Sequence, residues 1–258
     1  MKHLTTSIKN NNPIAPDFYE LAFSWDPGNG IPTPGRFLTI RVSESAVPLL
    51  RRPFAFSGYD PTTQTATVIY QRRGPATDML AAKTARDTLD IVGPLGNGFP
   101  VPSAGTPCLL VGGGVGLGPV LFLARDLESK GFPVTFVAGF RTRAMVPSPA
   151  TFNGTHVAVC TDDGTAGFAG TTVDYLETLS TETTKGAVVF CCGPTPMLKG
   201  CHEYAQRRGL RCRVSMEQVM ACGVGACMGC VVKVKQKPGY ARVCKEGPVF
   251  ESGDLLWE

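Results

Sequence analysis

Histidine is scarce in this sequence: His3, His156 and His202 are the three in 258 residues, and they lie far apart along the chain. That scarcity excludes a His-rich metal centre and leaves no convincing catalytic triad or histidine acid in view. Charge is sparse as well. Only 18% of residues are charged, and 25 basic against 21 acidic side chains leave a net +4. So small and scattered an excess does not make a nucleic-acid surface, which needs basic residues gathered on one face. The start, MKHLTTSIKNNNP, has no apolar stretch behind Lys2 and does not read as an export signal. A cytoplasmic, reducing compartment is therefore expected, with free thiols rather than disulfides. Uninterrupted hydrophobic runs are missing too. The stretch from Ile91 to Ala124 carries no charge, but nine glycines and five prolines interrupt it, so it reads as strands and turns of a soluble interior and not as a membrane span.

What is present is a globular mixture with many turns: 43% hydrophobic residues, 30 glycines and 21 prolines. The length allows one or two domains and a core that needs no disulfide support. Residues 1–100 hold short β-type runs, FYELAFSW, RFLTIRV, PFAFSGY, TATVIYQR and TLDIVG, separated by turn clusters. A small antiparallel barrel is their simplest closure. Across residues 101–217 the rhythm becomes apolar strand, turn, helix: CLLVG before PVLFLARDLESKG, then VTFVAGF, THVAVCTDDG before TTVDYLETLS, GAVVFCCG before PTPMLKGCHEYAQRRG, and LRCRVSME. That alternation predicts a doubly wound parallel sheet with helices on both faces. Residues 218–258 break the pattern and hold four of the ten cysteines.

In MEQVMACGVGACMGCVVKV the spacing of Cys222, Cys227 and Cys230 is C-x4-C-x2-C, and Cys244 follows in YARVCKEGPVF. This is the plant-type 2Fe-2S arrangement. Thiolates must converge on two irons from one side, so the loop wraps tightly, and Gly223, Gly225 and Gly229 permit positive φ and close backbone approach. The competing readings are free buried thiols and a four-cysteine zinc site, which usually shows two C-x-x-C pairs; only Cys227 and Cys230 form one here. A Rieske centre needs two histidines, and none lies in this segment. Cys108, Cys160 and Cys191 sit in apolar strand-like runs and read as packing thiols, and Cys201 and Cys212 lack partners at ligand spacing. Cys192 differs, because it precedes Gly-Pro at the carboxyl end of a predicted strand, where open α/β sheets hold their ligands.

The run CLLVGGGVGLGPV places Gly112, Gly113, Gly114, Gly116 and Gly118 between a strand and a helix. Such a turn can bring backbone N–H groups to a pyrophosphate, and it equally serves tight strand-to-helix packing. The usual dinucleotide fingerprint has an acid about 20 residues further on; Ala138 occupies that region, so a standard Rossmann assignment is weakened.

Taken together and in order, RRPFAFSG, TLDIVGPLGNGF, VGGGVGLGP, CCGPTPM, CGVGACMGC and RVCKEGPVF resemble the dihydroorotate dehydrogenase electron-transfer subunits, within the wider ferredoxin reductase family. The resemblance spans nearly the whole chain; its specific part is the cysteine loop with the CKEGPVF ending. It implies FAD on the barrel, NAD on the α/β domain and a 2Fe-2S cluster held by Cys222, Cys227, Cys230 and Cys244. Arg52, Pro53, Phe54 and Ala55 match the flavin motif Arg-Pro-x-Ser, with Arg52 on the FAD pyrophosphate and Ala55 where the motif has its hydroxyl. Ile69, Tyr70 and Gln71 match the next flavin-contacting strand; Tyr70 taken alone reads as an ordinary barrel aromatic. Gly74, Pro75, Ala76 and Thr77 stand where the family has Gly-x-Gly-Thr, so Ala76 departs from the phosphate cradle while Thr77 keeps its hydroxyl. Gly114, Gly116, Cys192, Gly193 and Pro194 are implied to line the nicotinamide nucleotide site. Arg141 and Arg143 would attract a 2′-phosphate and Asp162 and Asp163 repel one, a balance that favours NAD over NADP.

A nicotinamide moves two electrons as hydride, a 2Fe-2S cluster one at a time, and a flavin does both. The implied activity is electron transfer in pyrimidine biosynthesis, from the FMN of a dihydroorotate-oxidising partner through the cluster and FAD to NAD. The partner is expected because a dihydroorotate-oxidising barrel needs about 250 further residues, and the expected assembly is a heterotetramer of two of each chain, without nucleic acid or membrane. Two alternatives remain: a FAD and 2Fe-2S subunit of another NAD(P)H-linked reductase, sulfite or ferredoxin-linked, and a non-catalytic zinc-stabilised binding module.

Overall fold

In a computed structural model, residues 1–152 and 154–257 are described. Six strands, β1 (Lys2–Ala15), β2 (Phe18–Ser24), β3 (Phe37–Arg41), β4 (Arg52–Asp60), β5 (Thr65–Gln71) and β6 (Thr88–Leu95), close into an antiparallel barrel in the order β1-β2-β5-β4-β3-β6. Side chains alternate across a strand, so one set fills the barrel: Leu21, Phe23, Leu38, Ile40, Phe56, Val68 and Ile91 are all wholly buried. Helix α1 (Pro75–Ala81) adds Ala76 and Leu80, four apart on one face, to the same core. β1 has no hydrophobic signature to announce it, since only Thr6 and Ile8 of its side chains are buried. It exists because its backbone pairs on both edges, with β2 and with β6, and so closes the barrel.

The α/β region comprises β7 (Cys108–Gly113), α2 (Leu117–Ser129), β8 (Val134–Phe140), α3 (Pro149–Phe152), β9 (Val157–Thr161), β10 (Phe168–Ala169), α4 (Thr172–Thr178), α5 (Thr181–Thr184), β11 (Val188–Cys192), α6 (Thr195–Arg207) and β12 (Arg211–Ser215). Alternate residues of each strand feed two cores. Leu110, Phe136 and Phe190 pack under Val120, Leu121 and Leu127 of α2; Leu109, Val111 and Val189 pack under Leu176 of α4 and Leu198 and Tyr204 of α6. Helices thus cover both faces, as the strand-helix alternation predicts. Chain order runs from β7 outward through β8, β9 and β10, then returns to the other side of β7 with β11 and β12. The reversal lies between β7 and β11, and such a switch point opens a crevice at the strands' carboxyl ends.

The tail forms a hairpin, β13 (Val231–Lys233) with β14 (Tyr240–Arg242), and then β15 (Val249–Glu251), which joins the large sheet antiparallel to β12 as its seventh strand. Three residues are too few to show alternation, so this strand is invisible in the sequence. Glu251 secures it, paired with Arg213 at 3.0 Å and accepting from the Cys212 N–H at 3.3 Å. Asn97, just after the barrel, holds the same segment: its N–H donates to the Gly247 carbonyl at 2.7 Å and its Nδ2 to those of Lys245 and Glu246. On the other side, Gly118 of α2 lets that helix approach Ser57 and Ile69 of the barrel, where an added Cβ would lie 3.2 and 3.4 Å from their Cβ atoms. Barrel, sheet and tail therefore meet at one place.

Candidate functional site

That meeting place is a cavity of about 760 Å³, within the range of small-molecule and cofactor pockets of about 300–1,000 Å³. Three walls enclose it. The barrel contributes Arg52, Pro53, Phe54 and Ala55 of β4, Ile69, Tyr70 and Gln71 of β5, and Arg73 and Thr77 beyond. The switch point contributes Gly116, Cys192, Gly193 and Pro194. The third wall is Ser215, at the end of β12, and the segment Met216 to Met220 that leads to the cysteine loop, with Pro248 just before β15. Sequence reasoning passed over this wall; its one signal was adjacency to Cys222. Of the residues expected at a cofactor, two lie elsewhere: Ala76 is turned into the barrel core, and Gly114 does not line the cavity.

Arg52 donates to the Leu50 carbonyl, and among the described residues no carboxylate pairs with Arg52 or Arg73. Two uncompensated guanidinium groups on one wall suit an anionic, phosphate-bearing ligand. Thr77 is already engaged: its hydroxyl donates to the Gly74 carbonyl at 3.0 Å and accepts from the Arg73 and Gly74 N–H groups, which caps α1. Tyr70 stacks on Tyr19 with ring centres 5.5 Å apart, meets Phe54 edge-on, and donates its hydroxyl to Asn11 at 2.9 Å; burial raises its pKa. Tyr70 lines the cavity and belongs to the barrel core. At the switch point, Gly116 makes the closest approach, since a Cβ there would lie 2.1 Å from the Cys192 carbonyl oxygen. Burial pushes the Cys192 thiol up to about 12, against a hydrogen bond with Ser215 that lowers it, so it is a neutral thiol at pH 7. Arg141, Arg143, Asp162 and Asp163 lie outside the cavity, at the ends of β8 and β9; the Asp163 carboxylate accepts from the Thr165 hydroxyl at 2.6 Å and its N–H at 3.0 Å.

Two residues beyond Met220 the cysteine loop begins. Gly223 and Gly225 have φ of +69° and +86°, which turns the chain tightly enough for amides to face inward. Each of the four sulfurs accepts a backbone N–H: Cys222 from Val224 at 3.5 Å and Cys227 at 3.4 Å, Cys227 from Gly229 at 3.4 Å, Cys230 from Cys244 at 3.4 Å, and Cys244 from Gly225 at 3.1 Å. Cys230 and Cys244 are buried and Cys227 is exposed, so the loop opens on one side. Burial raises the Cys222 thiol, but the amides of Val224 and Cys227 outweigh it and bring the group down to about 6. Burial beside Cys230 pushes Cys244 up to about 12. A soft, all-thiolate donor set ringed by amide donors fits an anionic iron–sulfur cluster. The other five cysteines, Cys108, Cys160, Cys191, Cys201 and Cys212, are buried packing thiols.

Arg242 braces this loop by donating to the Gly225 carbonyl at 2.6 Å while Glu246 accepts from its Nε at 3.0 Å and its N–H at 2.7 Å. The guanidinium holds the Glu246 carboxyl down to about 2 from 4.5. A depressed carboxyl contributes stability that is complete above its unfolded value and is lost as pH falls through the folded one. Glu246→Gln should therefore lower the melting temperature of the cluster-free chain at neutral pH, and the difference should shrink between pH 4.5 and about 2. An equal difference at both ends of that window would exclude the brace.

The family model described as the iron–sulfur cluster binding domain of dihydroorotate dehydrogenase B matches residues 217–256. The electron transfer subunit of dihydroorotate dehydrogenase B (NAD(+)) from Bacillus caldolyticus is 41% identical over 256 residues, covering 97% of each chain. The chain belongs to this family of electron-transfer subunits. The Geobacillus kaustophilus subunit is equally close at 41%, again with 97% of each chain covered. Among solved structures, an NADH-dependent reduced ferredoxin-NADP oxidoreductase studied for flavin-based electron bifurcation superimposes with a TM-score of 0.84 at 28% identity, over 98% of this chain and 90% of the other. Phthalate dioxygenase reductase, at 21% identity and a TM-score of 0.61 over 79% of this chain and 64% of its own, shares the fold. The electron-transfer family also disposes of the reading as a non-catalytic zinc module.

Proposed function

We propose that this chain carries electrons between an FMN-containing, dihydroorotate-oxidising partner and NAD, in a cytoplasmic heterotetramer of two chains of each kind. The observation that carries the proposal is the shared wall: the segment Ser215–Met220 lines the cavity at the switch point and leads directly into the cysteine loop. Residues 1–100 form the flavin part, 101–217 the nucleotide part and 218–258 the cluster part. FAD, when bound, supplies the exchange between two-electron transfer with NAD and one-electron transfer with a 2Fe-2S cluster. Arg52 would hold its pyrophosphate, Pro53 to Ala55 and Ile69 to Gln71 its ring system, and Gly116 with Cys192, Gly193 and Pro194 the nicotinamide. Cys222, Cys227, Cys230 and Cys244 would hold the cluster. Phe37, Pro119 and Met220 give the cavity apolar walls against which these groups would pack. The neutral Cys192 thiol would give a nicotinamide a polar but uncharged neighbour, and no side chain is asked to move a proton.

Isolating the chain with iron, sulfide and FAD available tests this directly. The expected product is coloured, with about one flavin, two irons and two labile sulfides per chain. NADH should bleach its flavin absorption, and the reduced protein should give the EPR signal of a 2Fe-2S cluster. Co-purification should recover a partner chain that holds FMN and oxidises dihydroorotate. A colourless protein with one zinc per chain would overturn the cofactor reading; a sirohaem or ferredoxin-linked partner would move the chain to another NAD(P)H-linked reductase.

A further inference from the structure

Two adjacent arginines lead into β4, and they meet different surroundings. Arg51 is anchored on β6, where its Nη2 donates to the Asp90 carboxylate at 2.8 Å and its Nη1 to the Asp90 carbonyl at 3.0 Å. Arg52 lines the cavity. At the other foot of the same connection, Arg41 at the end of β3 donates to the Ser43 carbonyl from Nε and to the Glu44 carbonyl from Nη2, each at 3.0 Å. The strap between β3 and β4 is therefore fixed at both ends.

Its far part is apolar and uncovered. Val47 is 76% exposed, Leu49 75% and Leu50 43%, and Leu50 lines the cavity. Apolar side chains grouped on the surface at the edge of a ligand-sized cavity mark a place that something else covers. The Leu50 carbonyl accepts from the Arg52 guanidinium, so leucine and cation are neighbours. Along the chain this wall runs Leu50, Arg52, then Pro53, Phe54 and Ala55: apolar, cationic, apolar.

A flavin dinucleotide carries the same order of chemistry. Purine, pyrophosphate and flavin ring follow one another, and the reading above sets the pyrophosphate on Arg52 and the ring on Pro53 to Ala55. The purine end then falls on the side of Arg52 away from Pro53, where Leu50 stands. A flavin mononucleotide stops at its phosphate and has nothing to place there.

We infer that Leu50, flanked by Leu49, forms the subsite for the adenine of FAD, and that this contact makes the cavity select FAD over FMN. This rests on the flavin reading above. A purine face laid on a leucine removes both from water, and the contact needs no charge.

The test uses the full chain freed of flavin, titrated separately with FAD and with FMN and followed by flavin fluorescence. The native chain should bind FAD more tightly than FMN. Leu50→Ser, alone or with Leu49→Ser, should weaken FAD binding roughly tenfold, which is about 1.4 kcal/mol. FMN affinity should not move, because Arg52 bonds to the backbone carbonyl of position 50 whatever side chain stands there. Leu50→Met, which keeps the apolar reach, should bind FAD as the native chain does. Unchanged FAD affinity in the serine variants, or a parallel loss of FAD and FMN in a folded variant, overturns the inference, as does a native chain that binds the two flavins equally. Should the serine variant not fold, Leu50→Ala carries the same comparison. If the native chain binds neither flavin, the proposed function falls and this inference with it; a native chain that prefers FAD with an unresponsive Leu50→Ser variant removes this inference alone.

Discussion

Replacing Cys230 with alanine is expected to leave a folded chain that has lost its iron–sulfur cluster. Cys230 is 2% exposed, its sulfur accepts the Cys244 N–H at 3.4 Å, and its side chain belongs to the apolar core with Val232 and Val243. Alanine tolerates that surrounding, so the fold should survive. Even removal of a partner that only orients a metal ligand typically costs about 10–100-fold in metal affinity or activity. Loss of a ligand itself should cost at least about 100-fold in cluster retention. Iron and labile sulfide should fall to a small fraction of the native content, the EPR signal of the reduced protein should vanish, and electron transfer with the partner should drop in proportion. NADH oxidation by an artificial two-electron acceptor should persist, because the cavity walls of the barrel and switch point are untouched. Full iron and sulfide content in Cys230→Ala would remove Cys230 from the ligand set.

The second large effect concerns backbone rather than a ligand. A Cβ on Gly116 would lie 2.1 Å from the Cys192 carbonyl oxygen, 2.3 Å from its carbonyl carbon and 2.7 Å from the Gly193 nitrogen. These are atoms of the neighbouring strand end, with no flexible side chain to swing aside. Gly116→Ala must therefore push the turn after β7 away from the end of β11. Overpacking of this kind costs about 3 kcal/mol or more, which in a chain of this size lowers the melting temperature by roughly 6–12 °C. The crevice also changes shape, and a misplacement of about 1 Å at a reacting centre can cost about 100-fold in rate. Gly114→Ala is the internal control. Gly114 has φ +55° and nothing within 4 Å of an added Cβ, so it meets only the left-handed backbone penalty of about 1–2 kcal/mol. Melting curves and NADH-to-acceptor kinetics on the two variants separate the cases. Equal melting temperatures would mean that the strand ends part without resistance.

The contrast between these glycines explains what could be read before any fold was known. Both stand in one glycine-rich turn, and the turn's place between strand and helix was legible from pattern alone. Their different consequences were not. Gly116 is constrained by Cys192, which is 76 positions away in sequence, and no local rule reports the separation of two strand ends. The barrel shows the same division. Five of its strands carry alternating or β-branched runs, but β1 does not, because its pairing to β2 and β6 is a property of backbone edges rather than of side-chain polarity. The expected departures at Ala55 and Ala76 also separate in space: Ala55 is on the cavity wall, whereas Ala76 is buried in the barrel core.

By itself the sequence determined the chemistry available to this protein. Cysteine spacing, the glycine turn, strand and helix periodicity and the lack of histidine are local, and local pattern decides which groups exist and which elements carry them. The tertiary structure decided how they act together. It put the segment after β12 on the cavity wall, returned the tail to the sheet as β15, and laid the outer face of β3 against the cysteine loop, with the Thr39 methyl on Gly223. Each of those depends on contacts between residues distant in sequence, where close packing and hydrogen-bond satisfaction act on the whole chain at once.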